Sequence, residues 1–252
     1  MRDSSARPGR LSRVFRYGGL SIAAVTFVLV VAHLAWTHSG NGEWQDVSEK
    51  DGIRIATLKV PGEVALKYKV NMHVEARLSD VVAFLSETET GNDLGAYDIR
   101  RIEEVSAPPV FYAYDTYKLR LPAPFGELEV VIINQYSQDP ETKTVRVNVN
   151  AAPNKLPLDE SIRRVVHLSN SWTLTPLESG GVNMESVSEM DLGMPYVLAN
   201  LAMPGVIDDE FSKIRTFLKQ DKYKNKQPAF IAELHDERPA TVAVTAGLTK
   251  PD

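Results

Sequence analysis

The feature that most constrains the fold of this chain is a run of six strand-like segments followed by one long amphipathic helix. The segments alternate apolar and polar residues or are rich in β-branched and aromatic residues, which is typical of strands. They cover residues 98–105, 110–120, 127–138, 143–151, 163–174 and 182–192. Turns such as Pro108-Pro109 and Ser179-Gly180-Gly181 separate them. Because turns this short join antiparallel strands, the sequence predicts an antiparallel sheet.

The segments on either side complete this picture. Residues 53–60 and 65–75 are predicted as two further strands, and residues 78–88 change to helical spacing. The long helix is predicted over residues 196–222, where apolar residues recur three or four positions apart. Pro204-Gly205 is expected to kink this helix and could serve as a hinge. The pattern as a whole predicts an α+β domain with a large curved sheet around a C-terminal helix.

A separate apolar segment occupies residues 18–37, about 20 residues without a formal charge, which is the length of a membrane-spanning helix. Five arginines and one aspartate lie in the basic segment 1–17, whereas Glu43 and Asp46 follow the apolar segment. The positive-inside rule then predicts a single-pass inner-membrane anchor, a cytoplasmic N-terminus and a periplasmic domain. A cleaved secretory signal is the alternative, although its apolar part is usually shorter. Residues 38–43 are interpreted as a linker.

Composition excludes several classes of function. The formal net charge is -5 although residues 1–17 are basic, so the rest of the chain is acidic and a poor nucleic-acid binder. There are no cysteines, which removes disulfides, thiolate metal sites and cysteine nucleophiles. The five histidines form no zinc motif, and no phosphate-binding or nucleophile-elbow motif occurs. The sequence therefore predicts no metal, no cofactor and no catalytic residue.

Several short patterns occur in a fixed order along residues 44–223. They are Trp44 with Asp51-Gly52-Ile53, then Val60-Pro61-Gly62, then Arg163-Arg164 with Trp172-Thr173-Leu174-Thr175-Pro176, and finally Asp191-Leu192-Gly193-Met194-Pro195. In these patterns and their order the chain resembles the START lipid-transfer family, whose fold is called the helix-grip. The resemblance implies a hydrophobic tunnel between the sheet and the C-terminal helix, with that helix as its lid.

The predicted strand 182–192 carries different residues on its two faces. Glu185, Glu189 and Asp191 share one face, which we interpret as solvated rather than catalytic. Met184, Ser186, Ser188 and Met190 share the other face. Methionines adapt to irregular shapes and hydroxyls can orient a polar head group, so this face could line a cavity. The alternative is an ordinary core with two hydrogen-bonded serines.

Other candidate ligand contacts depend on which way the strands and the helix face. If His167 points inward it could meet the polar end of a ligand, whereas an outward His167 would leave Trp172 in the core. Among the tyrosines, Tyr114 is predicted to contact the ligand. Leu198, Leu201 and Phe211 belong to the apolar stripe of the long helix, which fits either a lid or a packed helix.

The sequence thus predicts a membrane-anchored protein that binds or transfers a lipid or another hydrophobic molecule and catalyses nothing. Its lipid-binding domain is expected at residues 44–224, with a loosely ordered tail at 225–252. Two alternatives stay open at this point. One is an envelope interaction module whose core is filled by side chains, and the other is a helix-grip enzyme of the cyclase or hydrolase kind.

Overall fold

A computed structural model of the chain describes residues 10–107 and 110–235. Contacts divide the chain into two compact units. Of the described residues, 10–43 and 59–64 belong to the first unit, and 44–58, 65–107 and 110–235 belong to the second unit. The last 17 residues of the predicted tail, 236–252, lie outside the described residues.

The first unit contains helix α1 (Arg10–His38) and the loop 59–64. Lys59 lies at the C-terminal end of this helix, where its ammonium group donates hydrogen bonds to the Thr37 and Ser39 carbonyls at 3.4 Å each. The Gly62 amide also donates to the Thr37 carbonyl, at 2.7 Å. A cation near the last carbonyls of a helix complements the helix dipole.

The predicted span 18–37 falls within α1. In the part of the chain that the structure describes, no helix combines the length and the apolar character needed to cross a membrane.

The second unit is built on one large sheet. Its elements are β1 (Trp44–Lys50), β2 (Ile53–Leu58), β3 (Lys67–Val74), α2 (Leu78–Ser86), α3 (Thr88–Asp93), β4 (Tyr97–Ala107), β5 (Val110–Arg120), β6 (Glu127–Gln138), β7 (Val145–Ala151), β8 (Arg163–Arg164), β9 (Leu168–Pro176), β10 (Val182–Met190) and α4 (Tyr196–Phe217). The strand order is β1-β2-β3-β10-β9-β7-β6-β5-β4, antiparallel throughout, and β8 adds a short parallel pairing to β6. The predicted antiparallel sheet and C-terminal helix are confirmed.

The core lies on the face of the sheet that packs against α2 and α4, which we call the inner face. Ile207, Phe211 and Ile214 of α4 are buried there, and the Phe211 ring stacks on Trp172 at 5.4 Å between centroids. Trp172 is 6% exposed, so the interpretation that places it in the core is correct. These residues belong to a first apolar cluster with strands β2, β3, β10, β9 and β7. A second, smaller cluster contains Leu128, Val130, Ile132 and Val165.

Residues 163–174 were expected to form one strand, and here the structure differs. The two-residue strand β8 is followed by a break before β9 begins at Leu168. The cause is Arg164, whose side chain is buried against Glu129 and three loop carbonyls. This arrangement ties β8 to β6 and separates it from β9.

The C-terminal part of the second unit also differs from the predicted boundaries. Helix α4 ends at Phe217 instead of continuing to residue 222, and a short 3-10 turn follows at Asp221–Tyr223. Residues 227–235 were expected to belong to a loose tail, but Ile231 and Ala232 are buried. Pro204 lies inside α4, and the hinge at this position stays a prediction.

Candidate functional site

The strand register places one row of side chains across the middle of the inner face. From β3 to β5 the row consists of Tyr68, Ser188, Asn170, Val149, Asn134 and Ala113, each opposite the next on the neighbouring strand. Four of its six side chains carry a polar group, so we call it the polar row. Side chains on one face of a strand recur every second residue, so a local sequence motif cannot place these six side chains in one line. The pairing between strands that are distant in sequence does so.

The polar row lies along the boundary between the two apolar clusters, where Tyr68 belongs to the first cluster and Val149 packs against both. On one side lie Val70, Trp172, Val147 and Tyr136, which belong to the first cluster. On the other side lie Ile132 of the second cluster and, packed against it, Leu168 and Met190. Ser188, Asn170 and Val149 keep part of their surface accessible, although the strands around them are paired on both sides. Polar groups between two apolar surfaces are typical of a site that binds an amphipathic molecule.

Some polar groups of this face are hydrogen-bonded and others are not. The Ser186 hydroxyl donates to Asn170 Oδ1 at 2.9 Å, and Asn134 Nδ2 donates to Asp115 Oδ2 at 2.8 Å. The hydroxyls of Tyr68 and Tyr136 are buried without a hydrogen-bond partner among the described residues. Burial raises the pKa of Tyr68 to about 12. An unpaired buried hydroxyl costs free energy, so these two groups are places where a ligand or water would stabilise the protein.

An ion pair between Arg101 and Asp115 lies at the β4–β5 side of the inner face. Arg101 Nε donates to Asp115 Oδ1 at 2.8 Å, and Arg101 Nη2 donates to the Ser86 carbonyl at 2.6 Å. Burial by itself lowers the pKa of Arg101, but the hydrogen bonds to Asp115 and Glu104 raise it overall. Arg101 therefore stays charged, and the Asp115 carboxylate, which is 7% exposed, has its counter-charge.

Helix α4 carries an ionisable group, Glu210, beside its buried apolar stripe. Glu210 follows Ile207 by one helical turn and precedes Phe211, so it lies at the edge of the buried stripe. Burial raises the pKa of the Glu210 carboxyl, and the Glu210 charge in turn contributes to the raised pKa of Tyr117, whose main cause is also burial. Nevertheless Glu210 and Tyr117 are both only half-buried. The pKa shift caused by burial and the partial accessibility agree if the accessible surface of Glu210 and Tyr117 faces an enclosed space and not open solvent.

The structure divides the residues predicted to bind a ligand into groups. Met184 and Phe211 are buried in the first cluster, and Ser186 is buried with its hydroxyl bonded to Asn170. For Ser186 the structure agrees with the alternative of a hydrogen-bonded core serine. Ser188 and Met190 lie on the inner face with part of their surface accessible.

The remaining predicted residues lie away from the inner face. Tyr114 alternates with the buried Ala113 and Asp115, so it points to the opposite face, where Lys155 Nζ is 4.0 Å from its ring centroid. The His167 side chain is 56% exposed in the break between β8 and β9, with Nε2 3.1 Å from Glu189. Leu198 and Leu201 are exposed on α4. Contacts by Tyr114 and His167 do not fit a ligand on the inner face.

Sequence reasoning missed Tyr68, Asn170, Asn134, Asp115 and Glu210. A signal existed for Asn134, which interrupts the apolar alternation of β6 between Ile132 and Tyr136. Glu210 likewise interrupts the apolar stripe of the long helix.

An open cavity of about 910 Å³ lies elsewhere on the second unit, between the β9–β10 turn, the start of α2 and residues 233–235. Charges of both signs line it, including Arg77, Asp80, Lys219 and Glu233. No residue of the polar row belongs to its walls. We regard the inner face as the better candidate site, because there a row of polar groups lies between two apolar surfaces, which suits an amphipathic ligand.

The fold was compared with known structures. Human STARD10 is 12% identical with a TM-score of 0.62, and the match covers 88% of this chain and 84% of that chain. The STAR-related lipid transfer protein from Xanthomonas axonopodis is 20% identical with a TM-score of 0.64, and the match covers 71% of this chain and all of that fragment. Human StAR-related lipid transfer protein 5 is 15% identical with a TM-score of 0.60, covering 79% and 96%. No family model and no curated protein matches the sequence.

These likenesses extend over most of the chain at low sequence identity, and they show the fold. The second unit has the START-like helix-grip arrangement that the sequence patterns suggested.

Proposed function

We propose that the START-like domain encloses a lipid or similar hydrophobic molecule between the inner face of its sheet and helix α4. The observation that carries this proposal is the polar row, which remains partly accessible between two apolar clusters. In a side-chain-filled core this row would be sealed and its polar groups paired. The unpartnered hydroxyls of Tyr68 and Tyr136 also support a site that is completed by another molecule.

Burial supplies the affinity in this proposal. Enclosing about 300 Å² of apolar ligand surface is worth roughly 7 kcal/mol before the costs of ordering the partners. One or two polar contacts on the inner face would then choose the head group. No bond is made or broken in this function, and the protein acts as a binding or transfer protein without catalysis.

Helix α4 would act as the lid of the site. Val197, Leu198 and Leu201 in its first half are exposed, and Leu201 is 80% exposed. The second half of the helix is anchored to the sheet through the buried side chains of Ile207, Phe211 and Ile214. A helix that is anchored at one end and loosely packed at the other can admit a ligand by moving its loose end.

We also propose that residues 18–37 anchor the protein in the inner membrane and that the domain lies in the periplasm. The support comes from the uncharged segment and from the arginines that precede it. An anchor would keep the domain close to the membrane that supplies its lipid and would raise its effective concentration there.

Copurification tests the proposed function. The full chain is purified from its membrane, and the organic extract is examined by mass spectrometry for a stoichiometric lipid. Two serine-to-phenylalanine variants are compared. Ser188→Phe places a ring on the inner face, and the control Ser171→Phe places the same ring on the opposite face of the sheet. We expect Ser188→Phe to reduce the bound lipid by about tenfold, because the ring occupies the ligand's space, and Ser171→Phe to retain it.

Two results would contradict the proposal. One is an extract from the unaltered protein that contains no stoichiometric apolar molecule, which would favour an interaction module with a filled core. The other is an equal loss of lipid in both variants at equal thermal stability, which would place the lipid away from the inner face.

A further inference from the structure

Glu210 differs from the other acidic groups near the inner face because no cation is paired with it; the Lys213 charge lowers its pKa, but burial raises it by more. Asp115 pairs with Arg101, and Glu129 on the opposite side of β6 pairs with Arg164 at 2.7 Å. Glu210 makes no hydrogen bond and no ion pair with any residue that the structure describes. The nearest cation along its helix, Lys213, pairs instead with Asp209 at 2.6 Å. Glu210 is therefore an acceptor without a donor.

Glu210 lies on the part of α4 that packs on the sheet. It lies between Ile207 and Ile214 on the stripe of α4 that packs on the sheet, and both of these neighbours are buried. The Glu210 charge also contributes to raising the pKa of Tyr117 in β5, although burial is the larger cause. Tyr117 packs against the second apolar cluster. The carboxyl thus lies beside the space in which the proposed ligand would be enclosed.

Arg101, the cation that the structure describes beside Asp115 on this face, is not available to a ligand. The Arg101 guanidinium is already bound by Asp115, Glu104 and the Ser86 carbonyl. The neighbouring Asp115 charge also acts on Tyr117 and Tyr136. An anionic head group would therefore find no unpaired cation among these described groups, and the charges of Asp115 and of ionised Glu210 would repel it.

We propose that Glu210 selects the polar end of the ligand by accepting a hydrogen bond from an O–H or N–H donor, so that the site takes lipids with a neutral hydroxyl or cationic amine end and rejects anionic ones. The inference rests on the proposed function and deepens it. A donor at this position would satisfy the one unpaired carboxyl of α4. An apolar molecule without a donor would leave it unpaired, at the cost that any buried polar group without a partner carries.

A binding assay with matched probes tests the selection. The full chain is placed in phosphatidylcholine nanodiscs, and empty nanodiscs give the background. Three fluorescent lipids with identical acyl chains are offered from quenched phosphatidylcholine vesicles: a diacylglycerol, a diacyl lipid that ends in an amine, and a phosphatidate. We expect the first or second probe to bind at least about tenfold more tightly than the phosphatidate. Comparing the affinities for the diacylglycerol and for the amine lipid shows whether the preferred donor is a hydroxyl or an amine.

The variant Glu210→Met removes the acceptor and keeps the size of the side chain. The matched control is Glu141→Met, which makes the same change at an exposed position of the turn between β6 and β7 and leaves the Asp209–Lys213 pair intact. We expect Glu210→Met to reduce the preference for the donor probes over phosphatidate by about tenfold and Glu141→Met to leave it unchanged. Thermal unfolding without ligand gives a second readout. Removing an unpaired, partly buried carboxyl should leave the melting temperature of Glu210→Met unchanged or raise it.

The outcomes separate the inference from the proposed function. If no probe binds the unaltered protein above the empty nanodiscs, the proposed lipid binding fails and this inference fails with it. If the probes bind without preference, or if the preference survives in Glu210→Met, lipid binding stands and the role of Glu210 is wrong. A Glu210→Met protein that does not fold would show a structural role for the carboxyl and would also overturn the inference.

Discussion

Arg163 and Arg164 are neighbours in sequence, but only Arg164 is buried, with 3% of its side chain exposed. Its guanidinium donates two hydrogen bonds to Glu129 Oε2 and others to the Pro153, Leu156 and Pro157 carbonyls, at 2.7–2.8 Å. A planar guanidinium can serve a carboxylate and several carbonyls together, whereas an ammonium group cannot reach the same set. The two arginines therefore give a matched pair for testing a single residue.

Replacing Arg164 by lysine should destabilise the protein far more than the same change at Arg163. We expect Arg164→Lys to lower the free energy of unfolding by about 2–4 kcal/mol, because it leaves buried carbonyls and part of Glu129 without donors. Arg163 is exposed and donates to the Gly193 carbonyl, so Arg163→Lys should change it by less than about 1 kcal/mol. Urea denaturation of both variants measures the difference. Equal stabilities would contradict the role of Arg164 in holding the 153–157 loop.

At the scale of elements, the sequence predicted what depends on local pattern. Alternation identified β2 to β7, β10 and the region of β9, and the spacing of apolar residues identified α2 and α4. The polar row could not be predicted in the same way. Ser188, Asn170 and Asn134 come from three strands, and only the register between those strands places them in one row. The break at residues 165–167 was missed because its cause, the bond from Arg164 to Glu129, is a tertiary contact.

Residues 227–235 illustrate the same limit, since they have no periodicity and yet pack on the sheet. The Gln138 side chain binds the backbone of Ala232 twice, donating to its carbonyl at 2.7 Å and accepting from its amide at 2.9 Å. The Phe230 ring stacks on Phe111 at 4.7 Å between centroids. An isolated aromatic residue and backbone hydrogen bonds fix this segment, and neither leaves a repeating pattern in the sequence.

Removing the Gln138 amide should loosen this segment. We expect Gln138→Ala to leave the buried Ala232 amide and carbonyl unpaired and to lower the free energy of unfolding by about 1–3 kcal/mol. Gln135→Ala on the opposite face of β6 is the control. Hydrogen–deuterium exchange measured by mass spectrometry should accelerate in peptides covering 228–235 for Gln138→Ala only. Equal exchange in the two variants would show that Gln138 does not hold the segment.

At the scale of the whole molecule, the proposed lipid function depends on which side of a membrane the domain faces. The distribution of charge around residues 18–37 is the basis for placing the N-terminus in the cytoplasm and the domain in the periplasm. Because the chain has no cysteine, a single introduced thiol can report on this orientation without interference. Ser5 lies before the apolar segment, and Glu160 is an exposed residue of the domain.

Labelling with a membrane-impermeant maleimide tests the orientation in spheroplasts of a Gram-negative host. We expect Glu160→Cys to be labelled in intact spheroplasts and Ser5→Cys only after lysis, because the predicted anchor leaves Ser5 in the cytoplasm. The mass of the intact protein supplies the control for cleavage, since a removed signal would also remove Ser5. Labelling of Glu160→Cys only after lysis would place the domain in the cytoplasm, and the lipid would then have to come from the inner leaflet.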